Sequence, residues 1–492
     1  MNETLVVRIR GGARICVPNS LELMTPYVLL EQEDWFEDEI RFARRLLRPG
    51  MAAVDVGASF GIYTMAMATA VGAQGRVWAF EPTPDTAGML RETIELNRAG
   101  QVHLTRAALS DRPGSVQFRM ETQSELNAID TGQDGSGQSV SVAAQTLDQS
   151  ALEHGWRDVD FVKLDVEGHE LQVLAGGATF FDTASPLVMF EIKINDRVNL
   201  GMLDLLRAKG YEFYRLVPGL LVLAPFVREE PLDPFQWNLF ACKADRALRL
   251  AADGLLAHGT GPADATPVAS ALTQYLQSAA FASELVDGWP AKAGLFAAAG
   301  LKEYLDGLAL FAQSRDAQID GSLRFGLLQR ALRCVSEALA KKDTLPRLLT
   351  RARLSWESGQ RAAACALLEQ AGSRIGAQGA TLFQEPFLPP SPRYERLATG
   401  VPADEWVACA IVEQFEKLRA YSSHMGFPPL GLVDSIANAP FRSPEMERRR
   451  QLIRMRAGMQ AAPEPNPLVC VESEENLNPD YWCNTGRFEH SA

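Results

Sequence analysis

The sequence lacks a long apolar run. No stretch approaches the roughly 18 apolar residues needed to cross a bilayer, and the opening Met-Asn-Glu-Thr-Leu-Val-Val-Arg lacks the basic, apolar and small-residue order of a secretory signal. These absences argue against a membrane span and against export. We therefore expect a cytoplasmic protein.

Paired cysteines and an excess of basic charge are also missing. The seven cysteines are scattered without a Cys-x-x-Cys pair, which argues against a zinc or redox centre and favours free thiols. The formal net charge is −13, whereas affinity for nucleic acid depends on clustered lysine and arginine. No nucleic-acid partner is expected, and we interpret the short cluster Arg448-Arg449-Arg450 as a solvated helix face.

The first half of the chain has the pattern of an α/β domain. Short β-rich runs alternate with helical patterns up to about residue 245, which is typical of a parallel sheet covered by helices. One doubly wound domain over 51–245 would accommodate the predicted strands. We predict seven strands, near 53–56, 76–80, 102–107, 161–166, 187–192, 211–215 and 237–242.

The flanking regions differ from this pattern. Residues 1–50 predict a hairpin that turns at Gly11-Gly12, then a helix, and we expect this piece to cap the active-site side of the sheet. From 246 to 492 alanine, leucine and charged residues dominate, which predicts a mostly helical module. Within it, 348–371 resembles one tetratricopeptide unit around Gly359. No second copy is evident, and the module is a candidate surface for a protein partner.

The most informative segment is Asp55-Val56-Gly57-Ala58-Ser59-Phe60-Gly61, which follows one predicted strand and opens one predicted helix. Such a turn needs glycine where the backbone takes unusual angles or approaches a ligand closely. A dinucleotide fingerprint would have its second glycine at the position of Ser59. The loop therefore favours a nucleoside ligand without a pyrophosphate over NAD.

Two carboxylates strengthen this interpretation. Glu81 ends the next strand, where a carboxylate can accept hydrogen bonds from both ribose hydroxyls, and Asp111 follows the third strand, where an adenine edge can be recognised. Each feature alone is weak, because a lone glycine-rich turn is most often just a turn and a lone aspartate is most often a cap. Their order and spacing together predict a nucleoside cofactor.

Three segments, 55–64, 79–82 and 163–170, together resemble the FkbM family of methyltransferases. The third, Lys-Leu-Asp-Val-Glu-Gly-His-Glu, is the most specific, and the resemblance covers under half of the chain. It implies a class I methyltransferase (Rossmann-like) fold with S-adenosyl-L-methionine as donor. The acceptors it implies are hydroxyl groups, commonly on sugars or secondary metabolites.

The resemblance also implies roles for single residues. Asp55, Gly57 and Gly61 would shape the methionine end of the donor site, Glu81 would hold the ribose, and Asp111 would lie near the adenine. Ser59 stands where the family usually has asparagine. We include Ser59 and Asp165 among the cofactor-binding residues.

Strand periodicity places Lys163, Asp165 and Glu167 on one face of the fourth strand. Charged residues on a central strand must compensate one another or line a cleft. Because ligands of open α/β sheets bind beyond the carboxyl ends of the strands, Asp165 and Glu167 are better placed for a site than Lys163. We interpret Lys163 as an ion-pair partner.

Three residues are candidates for catalysis: His169, Glu167 and Glu191. An alcohol must lose its proton during methyl transfer, and His169 suits general-base work near neutral pH; the alternative is that His169 only begins a helix. Glu191 ends the fifth strand, where with Asp165 it would bind a divalent cation or position the acceptor. We favour positioning and predict no metal.

These residues predict an O-methyltransferase acting on a small-molecule or glycan acceptor. One alternative is a binding or scaffold protein organised by the helical half, with a decayed site. The other is a nucleotide-cofactor oxidoreductase, against which the missing middle glycine counts. Retention of Asp55, Glu81, Asp165 and Glu167 argues against decay.

Overall fold

The computed structural model describes residues 4–120, 128–129, 138–194, 197–198, 200–259, 266–282, 299–378, 385–399, 403–425, 430–461 and 466–470. The strands within these ranges are β1 Thr4–Arg8, β2 Arg14–Pro18, β3 Ala52–Val56, β4 Arg76–Phe80, β5 Val102–Thr105, β6 Ala108–Leu109, β7 Gly114–Met120, β8 Ala128–Ile129, β9 Gln138–Gln145, β10 Phe161–Leu164, β11 Leu187–Glu191, β12 Lys193–Ile194, β13 Arg197–Val198, β14 Glu212–Val217, β15 Val222–Pro225 and β16 Asn238–Cys242.

The helices within the same ranges are α1 Met24–Gln32, α2 Asp38–Leu46, α3 Ile62–Val71, α4 Pro84–Leu96, α5 Leu147–His154, α6 Glu170–Gly176, α7 Ala178–Thr183, α8 Gly201–Ala208, α9 Ala244–Ala252, α10 Ala269–Ser278, α11 Leu301–Ser314, α12 Gly321–Lys341, α13 Leu345–Glu357, α14 Arg361–Gln378, α15 Pro392–Glu395, α16 Ala403–Arg419, α17 Leu430–Asp434 and α18 Pro444–Arg456. None of these helices is both long and apolar enough to cross a membrane.

The main sheet has the strand order β15-β14-β16-β11-β10-β3-β4-β5. Strands β3, β4, β5, β10 and β11 run parallel, and β16 lies antiparallel between β11 and β14. This is the strand arrangement of class I methyltransferases, so the predicted fold class is confirmed. All seven predicted strands are present, and β15 adds an eighth by pairing with β14 as a hairpin.

Apolar side chains on both faces of the sheet anchor the covering helices. Ala53 and Phe161 lie in a core with residues of α2, α3 and α9, whereas the alternate residues Val54 and Val162 pack with residues of α5 to α8. The chain order reverses between β3 and β10, which opens a crevice at the carboxyl ends of these two strands. The candidate site lies there.

The helices after α9 pack against the edge of the sheet. Val222 of β15 shares a core with Leu308 and Phe311 of α11 and with Leu354 of α13. Helices α13 and α14 form a hairpin whose turn contains Gly359 at φ 84°. This hairpin covers the segment predicted to be one tetratricopeptide-like unit, and the resemblance to that repeat is not confirmed.

Ion pairs join the helical region to the N-terminal segment. Arg449 of α18 donates to the Glu31 carboxylate at 3.0 Å, and Arg448 lies 3.1 Å from the Glu33 carboxylate. Both arginines are buried, being 1% and 2% exposed. The interpretation of Arg448-Arg449-Arg450 as a solvated face was therefore wrong, because Glu31 of α1 and Glu33 after it compensate the charges of Arg449 and Arg448.

Candidate active site

A cavity of about 150 Å³ lies at the carboxyl ends of β3, β4 and β10. Gly57, Ser59, Glu81, Asp165, Glu167 and His169 line it, together with Trp35 and Tyr63. The other four predicted residues, Asp55, Gly61, Asp111 and Glu191, are not part of the lining. The crevice predicted from the strand ends thus brings six of the ten candidates into the lining of one cavity.

The loop after β3 owes its shape to backbone conformations that suit glycine. Gly57 has φ 81°, and a Cβ there would lie 1.8 Å from the carbonyl oxygen of Asp165. Ser59 has φ 49°, a left-handed conformation that asparagine tolerates better than most residues. The preference for asparagine implied by the family resemblance therefore has a backbone cause, and Ser59 keeps the turn.

Glu81 forms part of the cavity wall directly after β4. Its two carboxylate oxygens accept hydrogen bonds from the backbone N–H groups of Ser59 at 3.0 Å and Thr83 at 2.9 Å. Burial raises the pKa of Glu81, although these two bonds oppose the change. A carboxylate held in this way has acceptor capacity left for a ligand hydroxyl.

Lys163 is buried among carboxylates, as the predicted ion-pair role requires. Its Nζ lies 2.9 Å from Asp165 Oδ2 and 3.8 Å from Asp55 Oδ1, and it donates to the Gly57 carbonyl at 3.3 Å. Burial opposes its charge, yet Asp165 and Asp55 hold the pKa of Lys163 above its ordinary value. Thr64 of α3 donates to Asp55 at 2.6 Å. Asp55 therefore supports the loop from below.

A tight turn follows β10. The strand ends at Leu164, so the expected alternation does not extend to Glu167, which has φ 51° and precedes Gly168 at φ 96°. Glu170 accepts from the backbone N–H groups of Val166 at 3.2 Å and Gly168 at 3.1 Å. The Lys-x-Asp-x-Glu-Gly-x-Glu element thus forms a turn that is closed by hydrogen bonds to its own last glutamate, and this turn places Asp165 and Glu167 at the cavity.

Three carboxylates lie together at this turn. One oxygen each from Asp165, Glu167 and Glu191 lie within 4.8 Å of one another. Burial, followed by the charges of Asp165 and Glu167, raises the pKa of Glu191 to about 11. Its buried Oε2 has no hydrogen-bond partner among the described residues. This carboxyl group is therefore able to take part in a hydrogen bond with an incoming polar group.

Glu37, Tyr63 and Asn238 extend the site and were not among the predicted residues. The Glu37 carboxylate accepts from the Tyr63 hydroxyl at 2.8 Å, from Asn238 at 2.8 Å and from the Trp35 indole at 3.1 Å. Asn238 is paired with Glu191 across β11 and β16. Tyr63 follows the predicted glycine loop by two residues, but nothing in the sequence indicated Glu37 or Asn238.

His169 lies on the side of the cavity formed by the residues after β5. Its Nε2 is 3.0 Å from the Ser110 hydroxyl, which also donates to Asp111 at 3.1 Å. The imidazole is 9% exposed, and burial lowers the pKa of His169 despite the opposing charge of Asp111. His169 is the residue before α6, so both predicted roles remain compatible with its position.

The comparisons with known proteins identify the class. Residues 55–213 match the model of the methyltransferase FkbM domain, so this part of the chain is similar to that domain. Its methyl donor is S-adenosylmethionine. The cavity suits this nucleoside: Glu81 is a buried carboxylate with free acceptor capacity, and Gly57, Ala58 and Ser59 of the loop line the same cavity.

One characterised relative and two solved structures are similar to parts of the chain. The hexuronic acid methyltransferase AglP of Haloferax volcanii is 32% identical over 122 residues, which are 25% of this chain and 48% of that protein. A methyltransferase from Aquifex aeolicus has 16% identity and a TM-score of 0.26, covering 44% of this chain and 92% of its own. An O-methyltransferase from Thermotoga maritima has 15% identity and a TM-score of 0.25, covering 49% and 77% respectively.

Proposed function

We propose that the protein is an S-adenosylmethionine-dependent O-methyltransferase acting on a hydroxyl of a sugar, glycan precursor or secondary metabolite. The observation that carries this proposal is the group of carboxylates, Asp165, Glu167 and Glu191, beside the donor cavity. A carboxyl group accepts hydrogen bonds, and in its ionised form it also accepts the proton that an alcohol acceptor must give up. The name of the relative AglP supports a sugar acceptor.

Within this proposal the donor supplies an activated methyl group, and the chain's own residues bind and orient. Glu81 accepts hydrogen bonds from the ribose hydroxyls, and the Gly57–Gly61 loop lets the backbone approach the donor. Asp165 positions the methionine end while neutralised by Lys163. Most of the rate gain comes from holding the acceptor oxygen close and aligned.

Two groups are candidates for removing the acceptor proton. Glu167 lines the cavity in a left-handed conformation, and such backbone strain in a non-glycine residue is concentrated at functional sites. His169 lines the same cavity but is bonded to Ser110 on the side assigned to the adenine. The geometry therefore favours Glu167 with Glu191 as the groups that hold the acceptor hydroxyl, and keeps His169 as the second candidate.

A methyl-transfer assay tests the proposal. The full chain is incubated with S-adenosylmethionine and a panel of hydroxylated sugars and metabolites, and mass spectrometry measures the mass gain of one methyl group and the site that carries it. Methylation at oxygen supports the proposal. Transfer only to nitrogen or carbon acceptors, or donor binding without transfer to any member of the panel, contradicts it.

A further inference from the structure

A second cavity of about 580 Å³ lies between the N-terminal segment and the helical region. Residues 34–38 and Arg41 form one wall, and side chains of α14, α15, α16 and α18 form the other. We call this cavity the interdomain cleft. Trp35 lines both the cleft and the donor cavity, so the two spaces are neighbours separated by one side chain and the Glu37–Tyr63 hydrogen bond.

The charge of the cleft is opposite to that of the whole protein. Seven lysine and arginine side chains line it against five aspartates and glutamates, whereas the chain as a whole carries a formal net charge of −13. Burial raises the pKa of Glu37, the acid closest to the donor cavity, which reduces the negative charge further. A basic cavity in an acidic protein indicates an anionic ligand.

Most of the basic side chains in the cleft are already compensated. Arg393 pairs with Glu413 at 3.2 Å, Lys417 with Glu445 at 2.7 Å, and Arg449 with Glu31 at 3.0 Å. Two guanidinium groups differ from these. Within the described residues, neither Arg361 nor Arg396 has a carboxylate at ion-pair distance.

Arg361 is held rigidly in the cleft wall. Its guanidinium lies 3.8 Å from the centre of the Tyr421 ring and donates to the carbonyls of Leu418 at 2.7 Å and Lys417 at 2.8 Å. Burial lowers the pKa of Arg361, as expected for a cation whose charge the protein does not fully offset. Arg396 is exposed to the cleft at the residue after α15.

Aromatic rings complete the wall. Trp35, Phe36, Trp356 and Tyr421 line the cleft, and Phe36 packs against Tyr421 with ring centres 4.9 Å apart and ring planes tilted by 40°. Flat aromatic surfaces beside a few polar groups suit a ligand that has an apolar face and polar edges. A sugar ring has both.

We propose that the interdomain cleft binds the methyl acceptor, and that the acceptor is a glycoside bearing a carboxylate or phosphate group recognised by Arg361 and Arg396. The inference rests on the proposed O-methyltransferase function and assigns the helical region a part in acceptor binding. The anionic group lies in the cleft, the sugar ring packs on the aromatic wall, and the reacting hydroxyl passes Trp35 towards Glu167. Arginine suits this task because its planar guanidinium group donates two parallel hydrogen bonds to one carboxylate or phosphate group.

Binding in the absence of turnover tests the inference. Calorimetry on the full chain with S-adenosylhomocysteine compares p-nitrophenyl β-D-glucuronide with p-nitrophenyl β-D-glucoside, which lacks the carboxylate, and adds glucose 1-phosphate. We expect the glucuronide, the phosphate or both to bind at least about tenfold more tightly than the glucoside. The better of the two anionic probes distinguishes a uronate from a phosphate. Equal affinities, or no binding of either anionic probe, would overturn the inference.

Two variants locate the preference in the cleft. Arg396→Gln should weaken binding of the anionic probe roughly 5- to 20-fold and leave the affinities for the glucoside and the donor unchanged. Arg361→Lys keeps the charge but loses the planar guanidinium group, and it should weaken binding of the anionic probe as well. Arg91→Gln changes the same charge on the exposed face of α4 and should have no effect. An anionic preference that survives in both cleft variants would also overturn the inference, whereas normal binding without methyl transfer would contradict only the proposed function.

Discussion

The Glu37 carboxylate accepts a hydrogen bond from the Tyr63 hydroxyl at 2.8 Å. Tyr63 lines the donor cavity and Glu37 lines the interdomain cleft, so this bond stands between the two spaces. It also ties the residue before α2 to α3, the helix that follows the glycine loop. The N-terminal segment is therefore part of the candidate site, and Trp35 lines both the donor cavity and the interdomain cleft.

Glu81 provides the most direct test of the donor site. Replacing it by alanine removes a buried charged hydrogen-bond partner, and we expect Glu81→Ala to weaken S-adenosylmethionine binding by about 1 to 3 kcal/mol. Isothermal titration measures the change. Glu95→Ala, on the exposed face of α4, serves as the control. Unchanged donor affinity in Glu81→Ala would exclude the ribose role.

Substitutions of Gly57 test whether donor binding depends on glycine at this position of the loop. A Cβ would lie 1.8 Å from the Asp165 carbonyl oxygen, so Gly57→Val, and even Gly57→Ala, must displace the turn that carries Asp165. We expect loss of donor binding together with a lower melting temperature. Gly88→Ala is the matched control, because a Cβ there meets nothing within 4 Å and helix α4 should gain about 0.5 to 1 kcal/mol. Normal donor binding by Gly57→Ala would refute the loop assignment.

The parts of the site that the sequence predicted are local ones. The loop at Gly57 and the turn at Glu167 each place their functional groups within a few residues of a strand end, and the periodicity of the sheet indicated where those ends meet. Lys163 could be assigned as an ion-pair partner for the same reason. Local spacing carries this information because parallel strands deliver their carboxyl ends to one edge.

The missed parts depend on contacts between distant segments. Glu37 meets Asn238 across 201 positions, and Arg449 meets Glu31 across 418 positions. A run of three arginines has the same appearance whether its partners are solvent or buried carboxylates, which is why the interpretation of Arg448-Arg449-Arg450 failed. Tertiary packing, which no spacing rule encodes, brought these partners together.

Glu191 should make stability depend on pH. Its pKa is raised from 4.5 to about 11, so between these values the folded protein binds a proton that the unfolded chain does not. The stability contribution is present at low pH and is lost as pH rises, by at most about 1.4 kcal/mol per pH unit. We expect Glu191→Gln to remove this part of the slope in thermal melts between pH 5 and 8. An identical slope in the wild type and the variant would contradict the assignment.

The carboxylate group offers a test for metal. Asp165, Glu167 and Glu191 lie close enough to ligate one ion, but Lys163 neutralises Asp165 at 2.9 Å, which favours the positioning role. We expect extensive dialysis against EDTA to leave methyl transfer unchanged. The assay is repeated with added Mg²⁺ or Mn²⁺. If EDTA abolished the activity and a divalent cation restored it, the three carboxylates would bind a metal ion instead of positioning the acceptor.

Substitutions of His169 and Glu167 distinguish between these two candidates for the base that removes the acceptor proton. If Glu167 holds the hydroxyl, Glu167→Gln should lose most activity with donor affinity kept, since the lost contact acts on the acceptor, and His169→Ala should be mild. If His169 is the base, His169→Ala should lower kcat by roughly 10²- to 10⁴-fold.

The pH profile completes this comparison. Burial lowers the pKa of His169 below 6.5, so the neutral imidazole persists to lower pH, and a histidine-dependent rate should fall only in the region below that value. Thermal melts of both variants serve as the control for folding. A His169→Ala enzyme with a near wild-type rate across the whole pH range would remove the imidazole from proton transfer, because no other change in that variant compensates for a lost base. Glu167 would then be the group on which the rate depends.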